Sequence, residues 1–492
     1  MPSLEPRLPI PITTRPIPAA GSLRSAAPLA LLVLFALLAA AILTSQPRFA
    51  IAVPAAAIGA VACAWRPTPA VLAIFVLTAT TNTLPALTPI PNGPLADFLL
   101  AGLWLGVVAT YLGGRAERSF WLWPALIATI LYLSLTGIEA LMVSPVSYGL
   151  TAFKAAAWYM SGILLVAAAP WSADTHRRIA RGIVVVSILV GLYSLYRFLG
   201  ASSPEETAAA RVAQPGLAPS VQARFFGSWL TANQLASWVA TVLPLLIALG
   251  LAWRGRWRLL ALAAVVPLAI ALFDSDVRTG IIAVGIGALV VFTLYLVTPA
   301  FPGRLAAGVA GLMIAIAIGA AGYGLTVGTS SERADRFSGI LSPGQDKAFS
   351  DRKQTWAAAF EEMKRTPWGH GLGSAGGVAV TNGRQSVTSN ILDSSYIKVG
   401  LEQGFLIMVL YIGALVILLL ALALRATRST NRQSAALMIG ACGSLAAALV
   451  LFYTGLYSEG LPILATWLIV GLGVSQVTIH DQGPVRVTPA DW

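Results

Sequence analysis

Apolar runs of roughly 20 residues, the length a helix needs to cross the hydrocarbon core of a bilayer, recur from one end of this chain to the other. About fourteen are readable, centred near Phe35, Ala57, Phe75, Leu105, Ile130, Gly162, Leu189, Thr241, Val265, Gly287, Met313, Val409, Ala447 and Leu468. A soluble globular fold cannot hide so much apolar surface: 57% of the 492 residues are hydrophobic and only 11% are charged. The chain therefore reads as an all-α polytopic membrane protein with about 12–14 transmembrane helices. The run beginning near Pro28 is followed by Gln46, Pro47 and Arg48 without a small-residue cleavage site, so it is expected to be a retained span. Cys63 and Cys442 both fall inside apolar stretches, which supports neither a disulfide framework nor a thiolate metal cluster.

The net charge of +12 suggests a nucleic-acid partner only until the cations are placed. Many sit between apolar segments, where they set orientation, and no nucleic acid is expected. With the N-terminus cytoplasmic, alternation puts Arg66, Arg115, Arg118, the Arg177/Arg178/Arg181 group, Arg254/Arg256/Arg258, Arg304 and Arg425/Arg428/Arg432 in cytoplasmic connections. The opposite connections, around Asn92, Val146 and Tyr457, carry no Lys or Arg, and Arg48 is an exception among the early short loops. The expected organisation is a cytoplasmic tail at 1–27, spans across 28–326 with an outer loop near 200–229, an outer loop at 327–395, closing spans at 396–478 and a cytoplasmic tail at 479–492.

The long outer loop is where chemistry is expected, because spanning a membrane does not require it. All five lysines, Lys154, Lys347, Lys353, Lys364 and Lys398, fall on the outer side or at outer helix ends, which topology does not explain. From Ser350-Asp351 to Arg365 the loop reads as a capped amphipathic helix with Trp356, Phe360 and Met363 on one face, stopped by Pro367 and Gly369. Arg352 lies one turn before Trp356, so docking that face would bring a guanidinium to the membrane surface. The planar fork of arginine suits the paired oxygens of a phosphate or pyrophosphate.

The glycines from Gly369 to Gly377 permit tight turns and close approach of a ligand, and His370 among them is either a base or an ordinary hydrogen-bonded side chain. Asp393 stands at a helix entrance, where an acid commonly caps free N–H groups. Glu402 is either an ion-pair partner in packing or part of a polar cavity, since a lone carboxyl there is costly. Asp274 and Asp276 resemble a two-carboxylate cation site, but Arg278 beside them could replace the metal. No internal repeat and no matched pair of interrupted helices is readable, which weakens a transporter reading.

Four stretches in fixed order carry a family resemblance: Arg224-Phe-Phe-Gly227 with Asn233, Asp276-Val-Arg278-Thr-Gly280, Arg352-x-x-x-Trp356 with Pro367-x-Gly-x-Gly-x-Gly373, and Asp393-Ser-Ser-Tyr396 with Glu402 and Gly404. Their order resembles the O-antigen ligase and O-antigen polymerase superfamily of bacterial envelope glycosyltransferases. The resemblance covers Arg224 to about Tyr411. It implies a C-type glycosyltransferase of the inner membrane, with its active site facing the periplasm. Such an enzyme transfers a glycan carried on undecaprenyl pyrophosphate to an acceptor, with no cofactor and no required metal. It implies Arg278 and Arg352 as catalytic cations and Asp393 as general base, with Arg224, Tyr396, His370 and Glu402 in substrate binding. Family ligases carry His-Asn where this chain has Asp393-Ser394, so the resemblance points to polymerisation of repeat units into O-antigen or exopolysaccharide, with a chain-length regulator as a possible partner. Transfer to lipid A core is the alternative within the family, and a lipid-linked oligosaccharide flippase the alternative outside it.

The chemistry asks for few groups. A sugar hydroxyl attacking an anomeric carbon must lose a proton, and the departing pyrophosphate must be stabilised. A single displacement inverts the configuration and needs one base, not the paired carboxylates of hydrolases.

Overall fold

The computed structural model describes residues 66–87, 92–112, 124–200, 203–212, 226–301, 347–381 and 394–480. The expected spans near Phe35, Ala57 and Met313, and the candidate site residues Arg224 and Asp393, lie outside these residues. Helices α1 (Pro67–Ala79), α2 (Thr83–Leu87), α3 (Asn92–Leu112) and α4 (Pro124–Met142) lead to α5 (Val146–Phe153). A π-helical turn at Lys154–Trp158 carries α5 on to α6 (Ser161–Ala168). Next come α7 (Ala173–Phe198), α8 (Pro204–Val212), α9 (Ala232–Ala252), α10 (Gly255–Asp274) and α11 (Arg278–Val297). Beyond them, α12 (Lys347–Arg365) and α13 (Gly376–Thr381) precede α14 (Ser395–Gln403), α15 (Phe405–Arg428), α16 (Arg432–Thr454) and α17 (Ile463–His480). No strand occurs among the described residues.

Seven of these helices, α4, α7, α9, α10, α11, α15 and α16, are long and apolar enough to cross a membrane. The α5–α6 pair is long and apolar enough only when taken together and is bent by 59°, the shape of a broken span or a re-entrant loop, so the segment expected as one span near Gly162 is interrupted. It is the one bent pair among the described residues, and a matching interruption elsewhere is not among them. α1, most of α3 and most of α17 are shorter apolar helices. The protein is thus an all-α polytopic membrane protein.

Sequence periodicity does not tell which spans face lipid, but burial does. α9 and α16 are 94% and 89% buried over their apolar windows and form the centre, whereas α15 is only 33% buried. In lipid, apolar character alone does not drive helices together, so close approach of small residues does. Gly443 of α16 crosses Gly287 of α11 beside Pro244 of α9, and a Cβ on Gly443 would stand 2.6 Å from Val291 Cγ2 and 2.8 Å from the Gly287 carbonyl oxygen. Next to this crossing Ser444 Oγ donates to the Thr241 carbonyl at 2.5 Å. We expect Gly443→Leu to destabilise the bundle by about 1–3 kcal/mol through overpacking, read as a lower melting temperature of the purified protein. A melting temperature equal to the parent's would show that the crossing is not tight.

The bundle has two chemically different ends. At one, Arg177 Nε donates to Gln433 Oε1 at 3.0 Å, the Arg181 guanidinium lies 5.1 Å from the Trp257 ring centroid, and Arg432 Nε donates to the Ala252 carbonyl at 2.5 Å. These contacts gather the starts of α7, α10 and α16 and the end of α9, so the arginines of separate connections share one end, as the alternation argument requires. At the other end stand the C-termini of α7, α10 and α16, the N-termini of α9 and α11, and the loop helices α12 to α14.

Candidate functional site

At the end opposite the arginines, α12 docks on α14 and the top of α16 through Trp356, Ala359 and Met363, all buried. The Trp356 and Tyr453 rings lie 4.9 Å apart between centroids. The expected stripe is corrected at Phe360, which is 43% exposed; Ala359 replaces it because the docked face follows the 356/359/363 line. The helix also begins at Lys347, so Ser350 and Asp351 stand inside its first turns and do not precede them. Arg352, half-buried one turn before Trp356, lies on the docked side as expected.

After α12 the chain folds over the end of α14. Gly369 at φ +78° and Gly404 at φ +92° cross so closely that a Cβ on Gly369 would stand 2.3 Å from the Glu402 carbonyl oxygen. His370 N–H and Gly371 N–H donate to the carbonyls of Leu401 and Glu402 at 2.8 Å each. Gly369 therefore admits α14 and Gly373 admits Tyr148 and Ala152 of α5, while Gly377 at the end of the run lines the groove described below. His370 points away: its Nε2 lies 3.0 Å from Glu362 Oε1 on the exposed side of α12.

Beneath this fold lies a buried charge cluster. Lys398 Nζ is 2.9 Å from both Glu402 Oε2 and Glu459 Oε1, and Ala375 N–H donates to Glu402 Oε1 at 3.2 Å. Side-chain exposure is 3% for Lys398, 0% for Glu402 and 15% for Glu459. Burial by itself would lower the Lys398 ammonium, but the two carboxylates beside it hold it above the usual lysine range. Burial pushes the Glu402 carboxyl up, with Lys398 opposing. Glu402 thus takes the ion-pair alternative. The ring of Tyr396 packs against Tyr411 and Phe452 and its hydroxyl donates to the Leu449 carbonyl at 2.9 Å, so it braces α14 on α16.

Ser394, not Asp393, is the N-cap of α14, its Oγ accepting from Ile397 N–H at 3.5 Å. The same segment is pinned to the α16–α17 connection by Ser395, whose N–H and Oγ both donate to the Gly455 carbonyl, at 3.0 and 2.8 Å.

Glu459 leads into a cavity of about 500 Å³ that also touches Thr231, Asn233, Ser237, Gly377 and Tyr457. A second lobe of about 460 Å³, touching Pro85, Lys154, Tyr159 and Leu461, shares Thr151, Gln234 and Pro462 with the first, so the two form one groove. The Tyr457 hydroxyl stands 3.2 Å from Thr279 Oγ1 and donates to Asn233 Oδ1 at 3.5 Å, which ties the first turn of α11, begun by Arg278, to the wall of the first lobe. Asp276, just before it, adopts a left-handed backbone conformation at φ +55° that turns the chain from α10 into α11. Of the expected residues, Arg278 and Arg352 are brought to this end of the bundle, but neither they nor His370, Tyr396 and Glu402 line the groove.

Of the residues that do line it, Glu459 was not singled out from sequence, Tyr457 marked only a connection, Asn233 stood only within a motif and Lys154 only among the outer-side lysines. The surplus of outer-side lysines was the readable signal for Lys154 and Lys398. Glu459 carried none, because its partner lies 61 positions earlier, from residue 398 to residue 459.

Fold and groove together define a polytopic helical membrane protein with a largely apolar groove at one end that carries amide, hydroxyl and a few charged groups. Residues 263–412 match the family model described as O-antigen ligase, so that stretch is similar to this family. The match runs from within α10 into α15 and includes Arg278, Arg352, Asp393 and Glu402, while Arg224 falls before it. No curated protein matches the chain. The family so matched is one of glycosyl-transferring enzymes.

Proposed function

We propose that the protein polymerises glycan repeat units carried on undecaprenyl pyrophosphate, at the periplasmic face of the inner membrane. The observation that carries this reading is the groove tied to the first turn of α11, at the end of the bundle opposite the clustered arginines. Short cationic loops stay in the cytoplasm, which makes the groove end periplasmic. Its hydroxyl and amide groups, beside the Glu459 carboxylate, suit sugar hydroxyls, which both donate and accept. Arg278 and Arg352 stabilise the departing pyrophosphate, Asp393 takes the acceptor proton, and inversion follows from a single displacement. With Ser394 capping α14, the capping role is filled by its neighbour, which leaves Asp393 for chemistry. A chain-length regulator is the expected partner in the membrane.

The test is purified protein with lipid-linked repeat units: a product ladder supports polymerisation, and transfer only to lipid A core makes the protein a ligase. Arg278→Lys and Arg352→Lys keep the charge but lose the two-pronged fork, so each is expected to lose about tenfold or more in transfer while expressing normally. Normal ladders from both would show that neither grips the pyrophosphate. Sidedness has its own test. On a background lacking Cys63 and Cys442, Lys353→Cys is expected to react with a membrane-impermeant thiol reagent before the inner membrane is permeabilised; reaction only afterwards reverses the orientation.

A further inference from the structure

The second lobe of the groove is built around a cation that the proposed transfer does not use. Lys154 begins the π-helical turn that leads up to the break at residues 159–160 of the one bent helix pair among the described residues. A π-turn sets residues five apart on one side, so Lys154 and Tyr159 both reach the same lobe. Asp97 Oδ2 holds the ammonium at 2.5 Å, yet the lysine side chain remains 39% exposed. An ammonium has three donors, so the ion pair fixes its position and leaves others for a ligand. Around it the walls are mostly apolar, from Pro85, Leu230, Leu461 and Pro462. A cation among apolar walls, at the edge of a membrane-spanning bundle, complements an amphiphile with an anionic head.

We infer that the lobe at Lys154 receives the phosphate-bearing head of a second lipid-linked molecule, the acceptor, with Lys154 donating to a phosphate oxygen. The inference rests on the transferase reading for the word acceptor, and on the groove alone for the lipid phosphate. Arg278 begins α11, whose Thr279 meets Tyr457 on the wall of the opposite lobe, and Thr151 and Gln234 line both lobes. Donor and acceptor heads would therefore approach from opposite sides, with their sugars meeting over those two shared residues. The two poles also explain why one enzyme needs cations on two elements so far apart in sequence.

The experiment counts bound lipid by native mass spectrometry with a polyprenyl phosphate as probe. The parent is expected to bind two equivalents and Lys154→Gln one, while Lys154→Arg restores the second. In transfer assays Lys154→Gln is expected to raise the acceptor KM about tenfold or more with the donor KM unchanged. Equal stoichiometry in parent and Lys154→Gln overturns the inference, as does a rise in donor KM alone. Displacement of the second equivalent by inorganic phosphate at matched concentration also overturns it, since the site would then read a free anion. A Lys154→Arg variant that fails like Lys154→Gln and melts lower would make the residue structural, with the same consequence. If no glycan is transferred at all but Lys154→Gln still loses its second equivalent, the lipid-phosphate site stands and the transferase reading falls.

Discussion

Asp393→Asn is expected to fold and bind lipid-linked donor as the parent does, and to lose about 100-fold or more in transfer rate. Asn caps a helix about as well as Asp, so a purely capping residue would tolerate this change. Here Ser394 already supplies the cap of α14, and the melting temperature should not move. Asp393→His sharpens the comparison, because a neutral imidazole can accept the same proton and the resembling ligases carry His at the matching place. Partial activity in that variant alongside an inactive Asn variant would be the signature of a base. A full product ladder from Asp393→Asn would remove the carboxylate from the chemistry and turn attention to Glu459, the carboxylate that lines the groove.

Lys398→Met is expected to cost about 3–5 kcal/mol of stability, because it strands Glu402 and Glu459 without their shared counter-charge. The length and apolarity of Met fill the space, so the loss is electrostatic. Activity should fall with stability. Ala375 and Gly376 rest on this cluster, a Cβ on Gly376 would lie 2.7 Å from Lys398 Cε, and Gly377 and Glu459 both line the groove. Adding Glu402→Gln to Lys398→Met removes one stranded charge and should recover part of the melting temperature, a coupling that independent sites would not show. A Lys398→Met protein that melts with the parent would mean the pair carries no net stabilisation.

The signals that were readable at this end of the bundle are local. Arg278 is one turn from a span entrance, Arg352 is one turn from Trp356, and Lys398 and Glu402 are spaced to pair on a helix. What was misread was also instructive. Gly369 looked like room for a ligand, yet the molecule approaching it is the protein's own α14. Phe360 fitted the apolar stripe by type, but Ala359 is the residue that docks, since a close helix approach favours the smaller side chain. His370 and Tyr396 have the chemistry of binding residues and face Glu362 and the Leu449 carbonyl instead.

Sequence alone determined that the chain is a helical membrane protein and which ends of its helices gather the arginines. Both follow from one-dimensional quantities, the length of an apolar run and the charge between runs, read against a solvent that is itself layered. Only tertiary structure decided which spans are central, that α5 and α6 bend just after a π-turn, and that Glu459 meets Lys398 while Lys154 meets Asp97. Inside the bundle the partners of a buried charge are chosen by packing across segments remote in sequence, and apolar periodicity is silent there because nearly every face is apolar.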